Sequence, residues 1–318
     1  IVGASAFNAS SSTGGDNTGL GALVFNSNTS GASNVAVGSQ ALYSNTTASN
    51  NTAVGYQTAY NNTGGAITAV GQQALYSNTG PSNVAVGYQA AYNNTSGQDN
   101  VALGRNALRS NTTASENTAV GYQSLYANTT ATENTALGYQ AGYGNTTGYG
   151  NTFVGRKAGT TNTTSEAQTM VGSGAGQTTT GNFNTFIGQT AGYFVTTGSK
   201  NTILGRYNGN QGGLDIRTSN NNIVLSDGDG NPRMHVDSSG KSFFGPENTA
   251  YAKFNVHTTA STWTANFYNL NNADVSNVGM RHDYARSGQN ATQIYFMQTN
   301  GTTCGSIKSN NSSTSYNT

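Results

Sequence analysis

The acidic side chains bear on whether the chain could hydrolyse a glycan, because that reaction needs two carboxyl groups about 5 to 9.5 Å apart. In the first two thirds of the chain they occur singly, as Asp16, Asp99, Glu116, Glu133 and Glu166. The later ones could converge only through folding or between subunits, and they include Asp227, Asp229, Asp237, Asp274 and Asp283. The pattern predicts no catalytic residue, and we expect the protein not to be an enzyme.

Three short patterns resemble metal or nucleotide motifs, and each lacks a required residue. The spacing of Asp227, Asp229 and Asn231 is that of a calcium loop, but the twelfth position holds Ser238 in place of glutamate. Gly240-Lys241-Ser242 lacks the glycine five residues earlier that a phosphate loop needs. Three histidines on a three-fold axis could bind a metal, yet each is isolated in sequence: His235, His257 and His282. We therefore predict no metal and no cofactor.

One group of residues near the carboxyl end has the composition of a contact surface. It mixes aromatic and cationic side chains, as binding hot spots do. Its members are the predicted receptor-binding residues Trp263, Arg281, His282, Tyr284 and Arg286.

A glycine recurs every 16 or 17 residues along the first two thirds of the chain, and we call these the marker glycines. A spacing kept this strictly predicts one structural unit stacked many times, an elongated solenoid. The residue before each marker is aliphatic in all twelve units. The markers are Gly21, Gly38, Gly55, Gly71, Gly87, Gly104, Gly121, Gly138, Gly155, Gly172, Gly188 and Gly205.

Each unit carries further repeated residues around its marker glycine. The short stretch before it alternates β-branched, small and aliphatic residues, as in Val35-Ala36-Val37, which predicts a strand with the aliphatic residue in the core. Asparagine four residues before the marker predicts a ladder of amides at one corner of the coil, and Asn-Thr seven and eight residues after it predicts a second corner. A tyrosine five residues after the marker predicts a stack of rings, which favours coil-to-coil packing over sugar binding.

These units predict an all-β fold, a parallel β-roll or β-solenoid with coils of about 17 residues and two strands per coil. The stretch 41–43 could form a helical turn instead of the second strand. The alanine side of the strands looks too bare to face water, so we infer a trimer of parallel chains around an axis. The alternative is a monomer in which that side packs against its own coil.

The period ends after residue 205, and the sequence predicts three segments. Residues 1–205 form the repetitive β-solenoid shaft. Residues 206–249 form a capping hairpin or connector, in which 223–225 and 234–236 flank a turn at 227–231 and cover the open edge of the solenoid. Residues 250–318 hold most of the large side chains and alternate as a small antiparallel β domain, with strands at 254–257, 264–268 and 294–297.

The charge balance excludes several classes of partner. There are 13 basic and 12 acidic residues and no Lys/Arg cluster, which argues against nucleic acid and anionic lipid. No apolar run approaches the roughly 20 residues that span a bilayer, so no membrane insertion is predicted. Cys304 is the single cysteine, so no intrachain disulfide can form.

The repeats N-S/T-x-A-I/V-G, followed by a small-residue segment, resemble the heads of trimeric autotransporter adhesins, and their longer form at 55–63, 71–79 and 121–130 resembles repeats of bacteriophage tail fibres. The segment 305–318 resembles the linker before the self-cleaving intramolecular chaperone of those fibres. The resemblance implies that Thr318 is the chaperone cleavage boundary and that the chaperone's own serine and lysine are not in this chain.

The resemblance further implies a structural and host-attachment protein of a phage tail, located in the virion and working outside the host cell. Its partners would be two further copies of itself, other tail proteins and a bacterial surface receptor, either a glycan or an outer-membrane protein. Two alternatives are a bacterial surface adhesin of the trimeric autotransporter type and a glycan-degrading tailspike.

Overall fold

The structure is a computed structural model that describes residues 13–244 in full and three further strands by their backbone, 292–297, 303–310 and 313–317. The chain forms two compact units, Ile1–Phe254 and Asn255–Thr318, and each is described by itself. All regular elements in the described residues are β-strands, so the predicted all-β class is confirmed.

The first unit is a parallel β-solenoid, as the repeat predicts. Each coil contributes one strand of three residues, and each strand pairs in parallel with the strand of the next coil. Every strand ends at the residue before a marker glycine. The twelve strands are β1 (Thr18–Leu20), β2 (Val35–Val37), β3 (Thr52–Val54), β4 (Thr68–Val70), β5 (Val84–Val86), β6 (Val101–Leu103), β7 (Thr118–Val120), β8 (Thr135–Leu137), β9 (Thr152–Val154), β10 (Thr169–Val171), β11 (Thr185–Ile187) and β12 (Thr202–Leu204).

The second side of each coil is a turn segment, where the sequence predicts a strand or a helical turn. In the second coil, Gln40 and Leu42 have φ of 59° and 50°, so the backbone alternates in hand and is not extended. It is still bonded to both neighbouring coils. Gln40 N–H donates to the carbonyl of Ala22 at 2.8 Å in the preceding coil, and Leu42 N–H donates to that of Thr58 at 3.1 Å in the following coil. The stack is therefore hydrogen-bonded on both sides.

The core has the opposite orientation to the predicted one. The middle residue of each strand points inward, so Ala36 and Ala53 are fully buried, while the aliphatic residue before the marker points outward and Leu137 is 48% exposed. The physical reason lies in the turn segments, whose buried Leu42 and Leu75 fill the interior and leave room for a methyl group on the strand. The alanine side packs within its own coil, as the monomer alternative proposes, and gives no reason for a trimer.

Later coils reverse this division of volume. The inward strand residue becomes Phe153, and the facing turn position becomes Gly159, where an added Cβ would lie 2.3 Å from the Phe153 ring. The same exchange pairs Met170 with Gly176, where an added Cβ would lie 2.3 Å from the Met170 sulfur. The interior thus keeps a constant width while the large side chain moves from one side to the other.

Asparagines four residues before the markers form the predicted ladder at the corner that precedes each strand. Their side chains are buried, and each Oδ1 accepts the backbone N–H of the equivalent residue in the next coil. Asn100 Oδ1 accepts from Asn117 at 3.1 Å, and Asn117 Oδ1 accepts from Asn134 at 3.0 Å. Because no water reaches these amides, each side chain satisfies a backbone donor that would otherwise be unpaired.

Replacing Asn117 by alanine is therefore expected to lower the free energy of unfolding by about 2–4 kcal/mol, since Asn134 N–H loses its acceptor and a small cavity forms. Thermal denaturation followed by circular dichroism measures the change. The half-exposed Asn93 provides the matched control, and Asn93→Ala should cost less than about 1 kcal/mol. Equal losses in the two variants would contradict this account of the ladder.

A second buried ladder occupies the predicted Asn-Thr corner. Here the side chains bond each other directly: Asn111 Nδ2 donates to Asn94 Oδ1 at 2.6 Å, and Asn128 Nδ2 donates to Asn111 Oδ1 at 3.0 Å. Most of these amides also bond a carbonyl two or three residues later in their own coil, as Asn111 does with Ala114 at 3.0 Å. The two ladders fix both corners of the coil in register.

The solenoid continues for one more strand after residue 205 and then changes direction. A small antiparallel pair, β13 (Asn210–Gln211) and β14 (Leu214–Asp215), interrupts the coil. Then β15 (Ile223–Ser226) adds a thirteenth parallel strand against β12, and β16 (Pro232–Val236) and β17 (Ser242–Phe244) follow it antiparallel. The predicted hairpin is confirmed.

The tip of this hairpin depends on Asp227. Its Oδ1 accepts the N–H groups of Asp229 at 3.0 Å and Asn231 at 2.8 Å, and its Oδ2 accepts from Arg233 Nε at 2.9 Å. These bonds, the backbone N–H of Asn231 first, lower the pKa of Asp227 from 3.8 to about 2. The stabilisation is complete above pH 4 and is lost as the pH falls toward 2, because protonation removes the charged acceptor.

We therefore expect Asp227→Asn to lower the melting temperature at pH 6 and to have little effect at pH 2. Differential scanning calorimetry at the two pH values measures this difference. Asp229, exposed at the same tip, provides the control substitution Asp229→Asn, which should leave both melting temperatures near those of the parent. A loss at pH 2 as large as that at pH 6 would contradict the assigned role.

The second unit contains three described strands in one antiparallel sheet. They are β18 (Thr292–Met297), β19 (Thr303–Asn310) and β20 (Ser313–Asn317). The prediction of antiparallel strands is confirmed for 294–297, and the predicted strands at 254–257 and 264–268 lie outside the described residues.

Candidate functional site

The outer side of the parallel strands carries two rows of residues that we call the aliphatic face. The first residue of each strand is threonine, valine or isoleucine, and the third is always aliphatic. None of these residues is charged. Leu20 and Leu137 are 48% exposed, and Leu225 is 40% exposed. The third-position row comprises Leu20, Val37, Val54, Val70, Val86, Leu103, Val120, Leu137, Val154, Val171, Ile187, Leu204 and Leu225.

The aliphatic face follows all thirteen parallel strands, with aliphatic residues throughout its third-position row and threonine at nine of its thirteen first positions. Thirteen strands about 4.8 Å apart, with two outward residues about 7 Å apart on each, give an area on the order of 500 Å². An area of this size matches the largest apolar patch of a typical monomer, about 300–600 Å², and such patches often contact another molecule.

The two edges of the aliphatic face differ in charge. On the edge before the strands, Asp99, Glu116 and Glu133 occupy the same position in three consecutive coils, five residues before their marker glycines. On the edge after the strands, the residue next to the marker is Arg105 in the first of those coils and Arg156 in the coil that follows them. These acidic residues look scattered in the sequence, and their spacing of 17 is the signal that places them in one row.

Tyrosines five residues after the markers stack in the predicted ladder, so coil-to-coil packing is confirmed. The rings of Tyr43 and Tyr60 lie 4.7 Å apart and 2° from parallel, and the stack continues to Tyr76 and Tyr92 at 5.1 and 5.0 Å. Burial, followed by the neighbouring phenols, raises the pKa of Tyr76. Because each ring covers the face of the next, the edges and hydroxyl groups remain for contact with a ligand.

A second row of aromatic and cationic residues follows the marker glycines directly. Tyr56 and Tyr88 are 48% and 40% exposed, and the Arg156 guanidinium lies 6.0 Å from the centre of the Tyr139 ring. Glutamines at the adjacent position form a ladder of side-chain bonds between coils, with Nε2–Oε1 distances of 2.9 Å for Gln57–Gln40 and 3.0 Å for Gln73–Gln57. The turn side of the solenoid therefore presents phenols, amides and guanidinium groups.

The receptor-binding candidates Trp263, Arg281, His282, Tyr284 and Arg286, and the cleavage boundary Thr318, lie outside the described residues. His257 also lies outside them.

Three residues of the metal-like sequence patterns, His235, Asp227 and Asp229, lie in the described part of the chain. His235 is 5% exposed, its Nε2 lies 3.1 Å from Asn222 Oδ1, and its ring stacks on Phe243 at 5.6 Å. The carboxylate of Asp227 bonds backbone amides and Arg233, and Asp229 is exposed at the tip of the same turn. In the part of the chain that the structure describes, no three His, Cys, Asp or Glu side chains come together as a metal site would require.

No helix among the described residues is long and apolar enough to cross a membrane. Comparison with known proteins adds no further assignment: the chain matches no protein-family model, no curated protein and no solved structure. The surfaces described above and the resemblance of the repeats are the observations that bear on function.

Proposed function

We propose that the chain is a structural and host-attachment protein of a bacteriophage tail fibre, without enzymatic activity, and that it works as a parallel homotrimer. The observation that carries the proposal is the aliphatic face, which runs without a charged residue along thirteen strands. Covering such a face removes apolar surface from water, which favours association with another surface.

A second copy of the chain fits this face better than an unrelated partner. The face of a second copy has the same length and the same spacing between strands, because all coils are separated by the same distance. In a cyclic assembly of parallel chains, the edge before the strands of one chain meets the edge after the strands of its neighbour.

The number of chains follows from the resemblance to trimeric adhesin heads and phage fibres. Three chains around an axis bury three aliphatic faces in one interior and leave three turn sides outward. The solenoid then provides reach, and three copies of any surface-binding site provide avidity for a bacterial glycan or outer-membrane protein. In this proposal the molecule belongs to the virion, attaches to other tail proteins and acts outside the cell.

The gene sequence beyond Thr318 separates the proposed fibre from the bacterial adhesin. We expect the codons that follow to encode an intramolecular chaperone with a catalytic serine and lysine. Apolar strands of a membrane-barrel anchor in the same reading frame would contradict the tail-fibre proposal and favour the autotransporter class.

A further inference from the structure

We propose that the turn segment 104–110 and its two neighbouring coils form a binding site for an acidic saccharide, in which two guanidinium groups hold the carboxylate of a sugar such as a hexuronate. For its biological role this inference depends on the proposed attachment function, since it names the class of surface molecule that would be bound. It places a binding site on the solenoid, separate from the candidate residues 263–286.

Two arginines replace tyrosines at this one place in the aromatic rows. The Arg105 guanidinium lies 5.5 Å from the Tyr88 ring centre and 5.9 Å from that of Tyr122, in the row next to the markers. The tyrosine ladder is interrupted in the same coil, where Arg109 takes the tyrosine position. The Arg109 guanidinium is 5.5 Å from the ring centre of Tyr92 in the preceding coil and 5.9 Å from that of Tyr126 in the following one.

The two arginine rows are connected through the glutamine ladder. Arg109 Nε donates to Gln89 Oε1 at 3.1 Å, and Gln89 follows Tyr88 in the chain. Both guanidinium groups therefore border one patch of surface. Among residues 13–244 the ion pairs are Arg217–Asp215 and Arg233–Asp227, so neither Arg105 nor Arg109 is neutralised by a carboxylate there.

Asn106 supplies an independent sign of a missing partner. It stands in the glutamine ladder between the two arginines, one methylene shorter than its neighbours, and the ladder bonds stop there. Its side chain is 9% exposed, and its Oδ1 has no hydrogen-bond partner. A buried acceptor without a donor costs about 1–3 kcal/mol, and because the Oδ1 is wholly buried, a ligand hydroxyl would recover this cost only if the Asn106 side chain turned outward. The two cationic donors on the surface match the carboxylate of a sugar acid.

The same patch suits a saccharide better than a nucleic acid. Single-stranded nucleic acids bind by stacking bases on open aromatic faces. Here the outer face of Tyr126 is covered by Tyr143 at 5.1 Å, and that of Tyr122 by Tyr139 at 5.3 Å, so ring edges and phenol groups are offered instead.

The test is isothermal titration calorimetry of the full chain with trigalacturonic acid. We expect saturable binding that Arg109→Gln and Arg105→Gln each weaken about tenfold or more, because each variant removes a charge-assisted bond to the carboxylate. Trigalacturonic acid trimethyl ester should bind as weakly as the variants bind the acid. Arg156→Gln, in the same row as Arg105 and beside Tyr139, is the matched control and should bind like the parent. Circular dichroism spectra and melting curves verify the fold of each variant.

Absence of binding to the acid by the parent chain would overturn the inference, as would equal binding by the parent and the two arginine variants. Tighter binding of an oligothymidylate than of the acid would overturn it in favour of a nucleic-acid surface. The outcome is separable from that of the tail-fibre proposal. A membrane anchor encoded beyond Thr318 would remove the fibre and leave a measured sugar site intact, and absence of sugar binding would leave the fibre proposal unchanged.

Discussion

Replacing Gly121 by alanine is expected to disrupt the middle of the solenoid. Gly121 has φ of +133°, and an added Cβ would lie 2.4 Å from the carbonyl oxygen of Gly138 in the next coil. The contact involves backbone on both sides, so neither partner can move without breaking the strand register. We expect a loss of at least about 3 kcal/mol, which lowers the melting temperature by roughly 6–12 °C.

Two features of Gly121 could cause this loss, the close contact with the next coil and the positive φ, and other glycines separate them. At Gly148 a Cβ would meet the Ser165 carbonyl oxygen at 2.0 Å without a positive φ, and at Gly150 φ is +65° with open space around it. Gly228 has neither constraint. Thermal denaturation should rank the alanine variants with Gly121→Ala and Gly148→Ala far below the parent, Gly150→Ala within about 1 kcal/mol of it, and Gly228→Ala unchanged. A tolerated Gly121→Ala would contradict the close approach of successive coils.

Replacing Leu137 by glutamate is expected to abolish self-association while the solenoid itself remains folded. Leu137 is 48% exposed in one chain, so a carboxylate there is hydrated in the monomer. In a trimer the same carboxylate would be buried among apolar residues of β7 and β9, Val120 and Val154, and their copies. An unpaired buried charge costs about 3–5 kcal/mol per chain, which weakens association more than a hundredfold.

Sedimentation velocity measures this loss, and far-ultraviolet circular dichroism reports whether the strands persist. The matched control is Thr130→Glu, which introduces the same charge at an exposed position seven residues earlier, away from the aliphatic face. The control should sediment like the parent. A Leu137→Glu variant that still sediments as the parent oligomer would show that the aliphatic face is not the surface that joins the chains.

The periodic features of the fold could be read from the sequence because stacking places equivalent residues above one another. A spacing of 17 between Asn100, Asn117 and Asn134 leaves few ways to satisfy their amides except along the stack. The same reasoning predicted the tyrosine ladder. A ladder requires only that equivalent residues of successive coils stack, and the repeat spacing determines which residues those are.

The orientation of the strands could not be read in this way. Alternation in Val35-Ala36-Val37 shows that the strand has two different faces, but a strand of three residues does not show which face is inside. That choice depends on the turn segment, where Leu42 fills the interior and excludes a second large side chain. The left-handed conformation of Gln40 and Leu42 was equally hidden, because neither residue type signals it.

The candidate sites were partly hidden for a related reason. Arg105 and Arg109 look unremarkable in sequence, and their pairing with tyrosines above and below appears only once coils are aligned. The break of the glutamine ladder at Asn106 needs side-chain positions as well as alignment. By contrast, the amino-acid composition of residues 263–286 is enough by itself to predict a contact surface.

The central claim is that the aliphatic face is covered by two further copies of the chain, and native mass spectrometry of the full chain tests it most directly. The account predicts a principal species of three times 32.7 kDa, with little single chain at micromolar concentration. A principal species of 32.7 kDa under the same conditions would contradict it, because a single chain would then expose thirteen strands of uncovered aliphatic surface to water.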